Sequence, residues 1–184
     1  MFPFFNYKSI KVENYKIQLL NTEQSKAFFQ LIDANRKRLE DFFAGTVKHT
    51  RTLEDTLRYC QEIQNKIKAK TYFPYIIIDI KEASIIGLID VKNIDWSIPK
   101  AELGAFIDAK YEGQGIITKS TNYVIEELVS KHQFKKLYCR VANRNKRSIK
   151  LVLNAGFKLE GILRRDYKTT KGEIVDLNYY GKLF

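Results

Sequence analysis

With 184 residues, 45% hydrophobic and 13% aromatic, the chain can form one domain with a substantial core and is too apolar to be disordered. No apolar run reaches the roughly 18 residues of a membrane helix, so no membrane partner is expected. The formal charge of +11 favours polyanions, meaning nucleic acid, acidic protein surfaces or phosphorylated cofactors, without choosing among them.

The opening Met1-Phe2-Pro3-Phe4-Phe5 lacks a basic segment and a small-residue cleavage site, so no signal peptide is expected. Cys60 and Cys139 form no metal-like or redox pair, which suits a reduced, cytoplasmic protein without a metal. Residues 15–20 alternate Ile17 and Leu19 on one face, predicting a strand. Asn21 with Gln24 predicts a capping box and a helix through Phe28, Leu31 and Ile32. A loop is expected over Gly45–Thr50, carrying His49. Thr52 and Asp55 then cap a second helix with Leu53, Leu57, Cys60, Ile63 and Ile67 at helical spacing.

Strands follow at Tyr75–Ile80, Ile85–Val91 and Ala101–Asp108, separated by short polar breaks, which predicts an antiparallel meander. A helix through Ile117, Val124, Leu128 and Val129 comes next, then a strand at Lys136–Val141 and a short helix through Ile149, Val152 and Leu153. Two closing strands, 157–168 and 173–184, meet at a turn around Lys171-Gly172. No linker, repeat or low-complexity tract interrupts residues 1–184, so a single α+β domain on a mixed sheet is expected.

The segment richest in chemistry is Glu112-Gly113-Gln114-Gly115-Ile116-Ile117-Thr118, between a strand and a helix. Two glycines allow a sharp turn and a close ligand, and the following helix offers unpaired N–H groups and the positive end of its dipole. Such a turn suits a phosphate. It is neither a P-loop nor a dinucleotide fingerprint, because the Gly-Lys-Ser/Thr and the third glycine are missing. Alone, it is equally a bland glycine-rich turn.

Two further stretches decide the reading: Val141-Ala142-Asn143-Arg144-Asn145-Lys146-Arg147-Ser148 and Asn154-Ala155-Gly156-Phe157-Lys158-Leu159-Glu160-Gly161. With the glycine turn, from about Ala101 to Gly161, they resemble the GNAT superfamily of acetyltransferases and within it the ribosomal-protein (serine/alanine) N-acetyltransferase branch. Before Tyr75 only the order of elements agrees. The resemblance implies an α/β/α sandwich whose mostly antiparallel central sheet splays into a V between its central strands. It also implies acetyl-CoA as co-substrate, direct transfer to an amine, and a homodimer.

By the same resemblance, the pyrophosphate of CoA would rest on backbone amides of Gly113, Gln114, Gly115, Ile116, Ile117 and Thr118. The pantetheine arm would pair with Phe106, Ile107 and Asp108, and Asn143 would cap it. Lys110 stands where the family begins the turn with Gln or Arg. Glu102 is the favoured base for the attacking amine, although an exposed strand charge is its plain reading; Asp166 is the second candidate. The family's thiolate-protonating tyrosine falls on Val152, which has no proton to give. Ser148, one turn earlier, takes that role.

His49 and His132 read as surface histidines, Trp96 as a core or rim aromatic, and Cys139 as core. A nucleic-acid module is suggested by Arg144, Lys146, Arg147, Lys150, Arg164 and Arg165, but no base-stacking aromatics are interleaved with them. A GNAT fold that binds CoA without catalysis is a third possibility. The branch points to a protein α-amine, with an acidic ribosomal protein suiting the positive charge; polyamines and aminoglycosides are the alternative acceptors.

Overall fold

A short strand not expected from sequence, β1 (Ile10–Val12), pairs antiparallel with β2 (Tyr15–Leu19), whose Ile17 and Leu19 are both buried. The computed structural model describes residues 10–12 and 14–184; the Met1–Phe5 stretch lies outside them. The capping box is present: Asn21 Oδ1 accepts from Glu23 N at 3.0 Å, and Gln24 Oε1 accepts from Asn21 N at 3.1 Å. It opens a single 3-10 turn that runs into α1 (Ser25–Leu39).

The expected loop at Gly45–Thr50 is instead a short helix, α2 (Ala44–His49). Its C-terminus is capped from outside. Arg36 of α1 donates to Val47 O at 3.2 Å and Thr50 O at 2.7 Å, a tertiary cap invisible to local sequence. α3 (Leu53–Lys68) starts at the Thr52 cap, whose hydroxyl accepts from Asp55 N at 3.0 Å. The apolar stripe of α3 is buried from Cys60 onward, whereas Leu53 and Leu57 stay exposed.

The meander is confirmed as β3 (Phe73–Asp79), β4 (Ser84–Asp95) and β5 (Lys100–Ile107), antiparallel in turn. α4 (Ile116–His132) crosses to β6 (Lys136–Ala142), and α5 (Lys146–Asn154) leads to the hairpin of β7 (Lys158–Lys168) and β8 (Ile174–Leu183). The sheet order is β1-β2-β3-β4-β5-β6-β8-β7, with β5–β6 parallel and every other neighbouring pair antiparallel. α1, α2 and α3 cover one face, where Phe43 meets Phe106 of β5 edge-on at 5.0 Å. On the other face Glu127 of α4 accepts from the Tyr75 hydroxyl at 3.2 Å, and α5 packs on β6.

His132 is not the surface histidine expected. It stacks on Phe73 at 4.9 Å beside Trp96 and Phe134, and burial, helped by Lys70 and Lys131, lowers its pKa below 6.5. Trp96 is a rim residue, 40% exposed, donating to Lys70 O at 2.9 Å. Because the unfolded state takes up the His132 proton first, its neutral burial is fully stabilising above pH 6.5 and is lost as pH falls below that value. The melting temperature should therefore drop between pH 7 and 5, and His132→Phe should flatten that drop. An unchanged slope in the variant would remove His132 as its source.

Candidate active site

Two geometric events make the site, and both lie at the end of β5. The first is an opening in the sheet. β5 and β6 are paired only from Lys100–Glu102 to Lys136–Tyr138, after which they diverge. Leu103–Ile107 remain bonded to β4 on one side, while the edge facing β6 has no strand partner among the described residues. Backbone groups along such an edge need partners, and an extended amide-bearing ligand can supply them. Phe106 and Ile107 lie on this edge. Asp108 closes it, donating its N–H to Ile86 O at 2.7 Å while its carboxylate accepts from Asn35 at 3.0 Å and Lys110 N at 2.8 Å.

The second event is the glycine turn. Gly113 has φ +77° and Gly115 φ +75°, and Gly115 is the N-cap of α4 in the left-handed region. A β-carbon on either would meet nothing within 4 Å, so the backbone angle, not crowding, requires glycine there. No side chain caps α4, which leaves the first-turn N–H groups at Ile116, Ile117 and Thr118 directed at the exposed turn. Glu112, just before the turn, accepts from both Arg38 and Arg147 and so holds two guanidiniums beside it. An open strand edge leading to an uncapped helix N-terminus fits the pantetheine arm and pyrophosphate of CoA.

Between the diverging strands lies a cavity of about 160 Å³. Of the expected catalytic residues, Glu102 and Ser148 both line it. Glu102 is not an exposed strand charge but only 5% exposed. Its carboxylate accepts from Asn93 at 2.7 Å and twice from Arg140, at 3.2 and 3.0 Å. Asn93 reaches it because β4 bulges there, with Asn93 at φ +50°. Asp166 does not line the cavity; it accepts from Arg140 at 3.2 Å and joins the network one residue removed.

Ser148 sits in the first turn of α5, where its N–H donates to Asn145 Oδ1 at 3.1 Å. Asn145, therefore, and not Asn143, caps the helix and lines the cavity; Asn143 is exposed just past the end of β6. Val152 lines the cavity where the family tyrosine would stand. Cys139 also faces it, but burial pushes its thiol up to about 12, so little thiolate is available for nucleophilic attack.

Sequence reading missed Asn93, which donates to Glu102, and Arg140, Phe42, Phe43 and Tyr167, which line the cavity. Arg140 had a signal: in β6, Lys136, Tyr138 and Arg140 alternate with Leu137, Cys139 and Val141, which put them on the face of Glu102. Asp41 fastens the α1–α2 connection to the β7–β8 hairpin, accepting from Thr170 Oγ1 at 2.7 Å and, through its carbonyl, from the Tyr167 hydroxyl. Of the basic residues, Arg144 is paired with Glu173 at 2.7 Å and Arg147 with Glu112, which thins the stripe a nucleic acid would need. No helix among the described residues is long and apolar enough to cross a membrane, and no metal-binding cluster is found among them.

Residues 17–158 match the family described as the acetyltransferase (GNAT) domain. The ribosomal-protein-serine acetyltransferase of Escherichia coli (strain K12) is 24% identical over 177 residues, spanning 96% of this chain and 97% of that one. Among solved structures, the ribosomal-protein-S5-alanine acetyltransferase of Vibrio fischeri superposes with a TM-score of 0.87 at 20% identity over 96% of both chains. RimL, a ribosomal L7/L12 α-N-protein acetyltransferase solved with coenzyme A, also reaches 0.87, at 18% identity over 96% of this chain and 98% of that one.

Proposed function

The chain belongs to the acetyltransferase (GNAT) family, an acetyl-CoA-dependent N-acetyltransferase, and on that premise we propose that its acceptor is the N-terminal α-amine of a protein, such as a ribosomal protein. The observation that carries the chemistry is that Glu102 and Ser148 line one cavity beside the open edge of β5. Glu102, already accepting three hydrogen bonds, has capacity for one more and takes the ammonium proton directly or through water. The neutral amine then attacks the thioester carbonyl carbon, forming the C–N bond as the C–S bond breaks. Ser148 gives the departing thiolate a hydrogen bond. Asp166 acts through Arg140, holding the guanidinium that orients Glu102. Gly113 to Thr118 hold the pyrophosphate, Phe106, Ile107 and Asp108 pair with the pantetheine arm, and Asn143 caps that arm.

An α-amine, with a reference pKa near 7.7–8.0, is far easier to deprotonate than a lysine near 10.4, and a modest base suffices for it. The +11 charge favours an acidic ribosomal protein as carrier of that amine and disfavours polycationic acceptors. A cytoplasmic homodimer completes the proposal by analogy with the branch. Labelled acetyl-CoA assayed against N-terminal peptides, polyamines and aminoglycosides tests it. Turnover is expected on peptides beginning with serine or alanine. Turnover of polyamines with silence on every peptide would sink the protein-acceptor reading.

A further inference from the structure

One buried polar group in the cavity has no part in the chemistry above. Thr121, in the second turn of α4, is 5% exposed and lines the same cavity as Ser148. Its Oγ1 is buried with no hydrogen-bond partner among the described residues. A helical threonine can return its hydroxyl to the carbonyl four residues back, as Thr56 of α3 does here to Thr52 O at 2.7 Å. Thr121 does not, and its neighbours in the cavity wall include Leu103, Ala105, Val152 and Ala155, which offer no side-chain partner. A hydroxyl in such a place costs stability unless something completes it.

We propose that Thr121 is a positioning residue for CoA, its hydroxyl hydrogen-bonding an amide of the pantetheine arm. The proposal rests on the CoA reading of the site. Thr121 stands six positions along the helix from Gly115, roughly 9 Å at the usual rise, too far for contact with a pyrophosphate seated on the turn. The open edge of β5 from Leu103 to Ala105 lines the same cavity, so an arm lying along that edge is bonded by backbone on one side. Thr121 supplies a bond from α4. The pantetheine amides are the hydrogen-bonding groups of the arm that lie between the phosphates and the sulfur. A hydroxyl can meet either the carbonyl or the N–H of such an amide.

The test is calorimetric binding with Thr121→Val, which keeps the shape, and Thr121→Ser, which keeps the hydroxyl. CoA and acetyl-CoA should both bind Thr121→Val about three- to tenfold more weakly, while Thr121→Ser stays near wild type. The nucleotide 3′-phospho-ADP, which lacks the arm, should bind wild type and Thr121→Val equally. Without ligand, Thr121→Val should melt no lower than wild type, since it removes an unpaired buried hydroxyl. Equal CoA affinity in Thr121→Val and wild type would overturn the proposal. So would a loss shared by 3′-phospho-ADP, or one confined to acetyl-CoA, which would place the contact on the thioester carbonyl. Should Thr121→Val fold poorly, Thr121→Ala measured against Thr121→Ser gives the same contrast. Failure of the wild type to bind CoA would instead strike the reading on which the proposal rests.

Discussion

Gly115→Val is expected to weaken acetyl-CoA binding by about a hundredfold or more. Gly115 is the N-cap of α4 at φ +75°, where an L-residue costs about 1–2 kcal/mol and a β-branched one more. The turn would relax to relieve that strain, and relaxation re-aims the N–H groups of Ile116, Ile117 and Thr118. Hydrogen bonds to a charged partner contribute about 1.5–3 kcal/mol each, so losing two reaches the hundredfold scale. Gly172, at φ +83° in the β7–β8 turn, is the control. Gly172→Val should lower stability while leaving acetyl-CoA affinity unchanged. If both variants bind acetyl-CoA like wild type, the glycine turn is not the pyrophosphate site.

Ser148→Ala is expected to lower turnover about a hundredfold with little change in CoA affinity, because in the proposed mechanism the hydroxyl serves only the leaving thiolate. Glu102→Gln should also lower turnover, and the structure adds a second consequence. Removing one member of a buried ion pair costs about 3–5 kcal/mol. Arg140 is 32% exposed and keeps Asp166, so a smaller cost of about 2 kcal/mol is expected, roughly 4–8 °C in melting temperature. The two variants are thereby distinguished: Ser148→Ala slows the enzyme at unchanged stability, and Glu102→Gln slows and destabilises it. Single-turnover rates with a peptide acceptor, alongside thermal melts, provide both readouts. Wild-type rates in both variants would remove these residues from the mechanism.

Most elements were legible because their causes are local. Asn21 and Thr52 cap helices through bonds spanning two or three residues, and the isoleucine runs of β3 and β4 admit little besides buried strand. The α2 helix was not legible, because Arg36 of another helix caps it. Nor was β1, since a three-residue strand takes its identity from its pairing with β2. His132 looked like a surface residue because nothing within a few positions announces that Phe73 will lie against it.

The site divides in the same way. Sequence by itself determined the glycine turn that opens α4, since left-handed glycines and a helix N-terminus are properties of consecutive residues. The resemblance carried by Asn143, Ser148 and the Gly156-Phe157 stretch pointed to CoA. Only the tertiary structure decided what Glu102 is. Its burial, the Asn93 amide delivered by a bulge and the Arg140 guanidinium come from three different strands. Sheet pairing joins residues 38 positions apart, and no local rule specifies where β5 and β6 part company. That parting, set by packing across the whole sheet, leaves the edge of β5 open beside the cavity lined by Glu102 and Ser148.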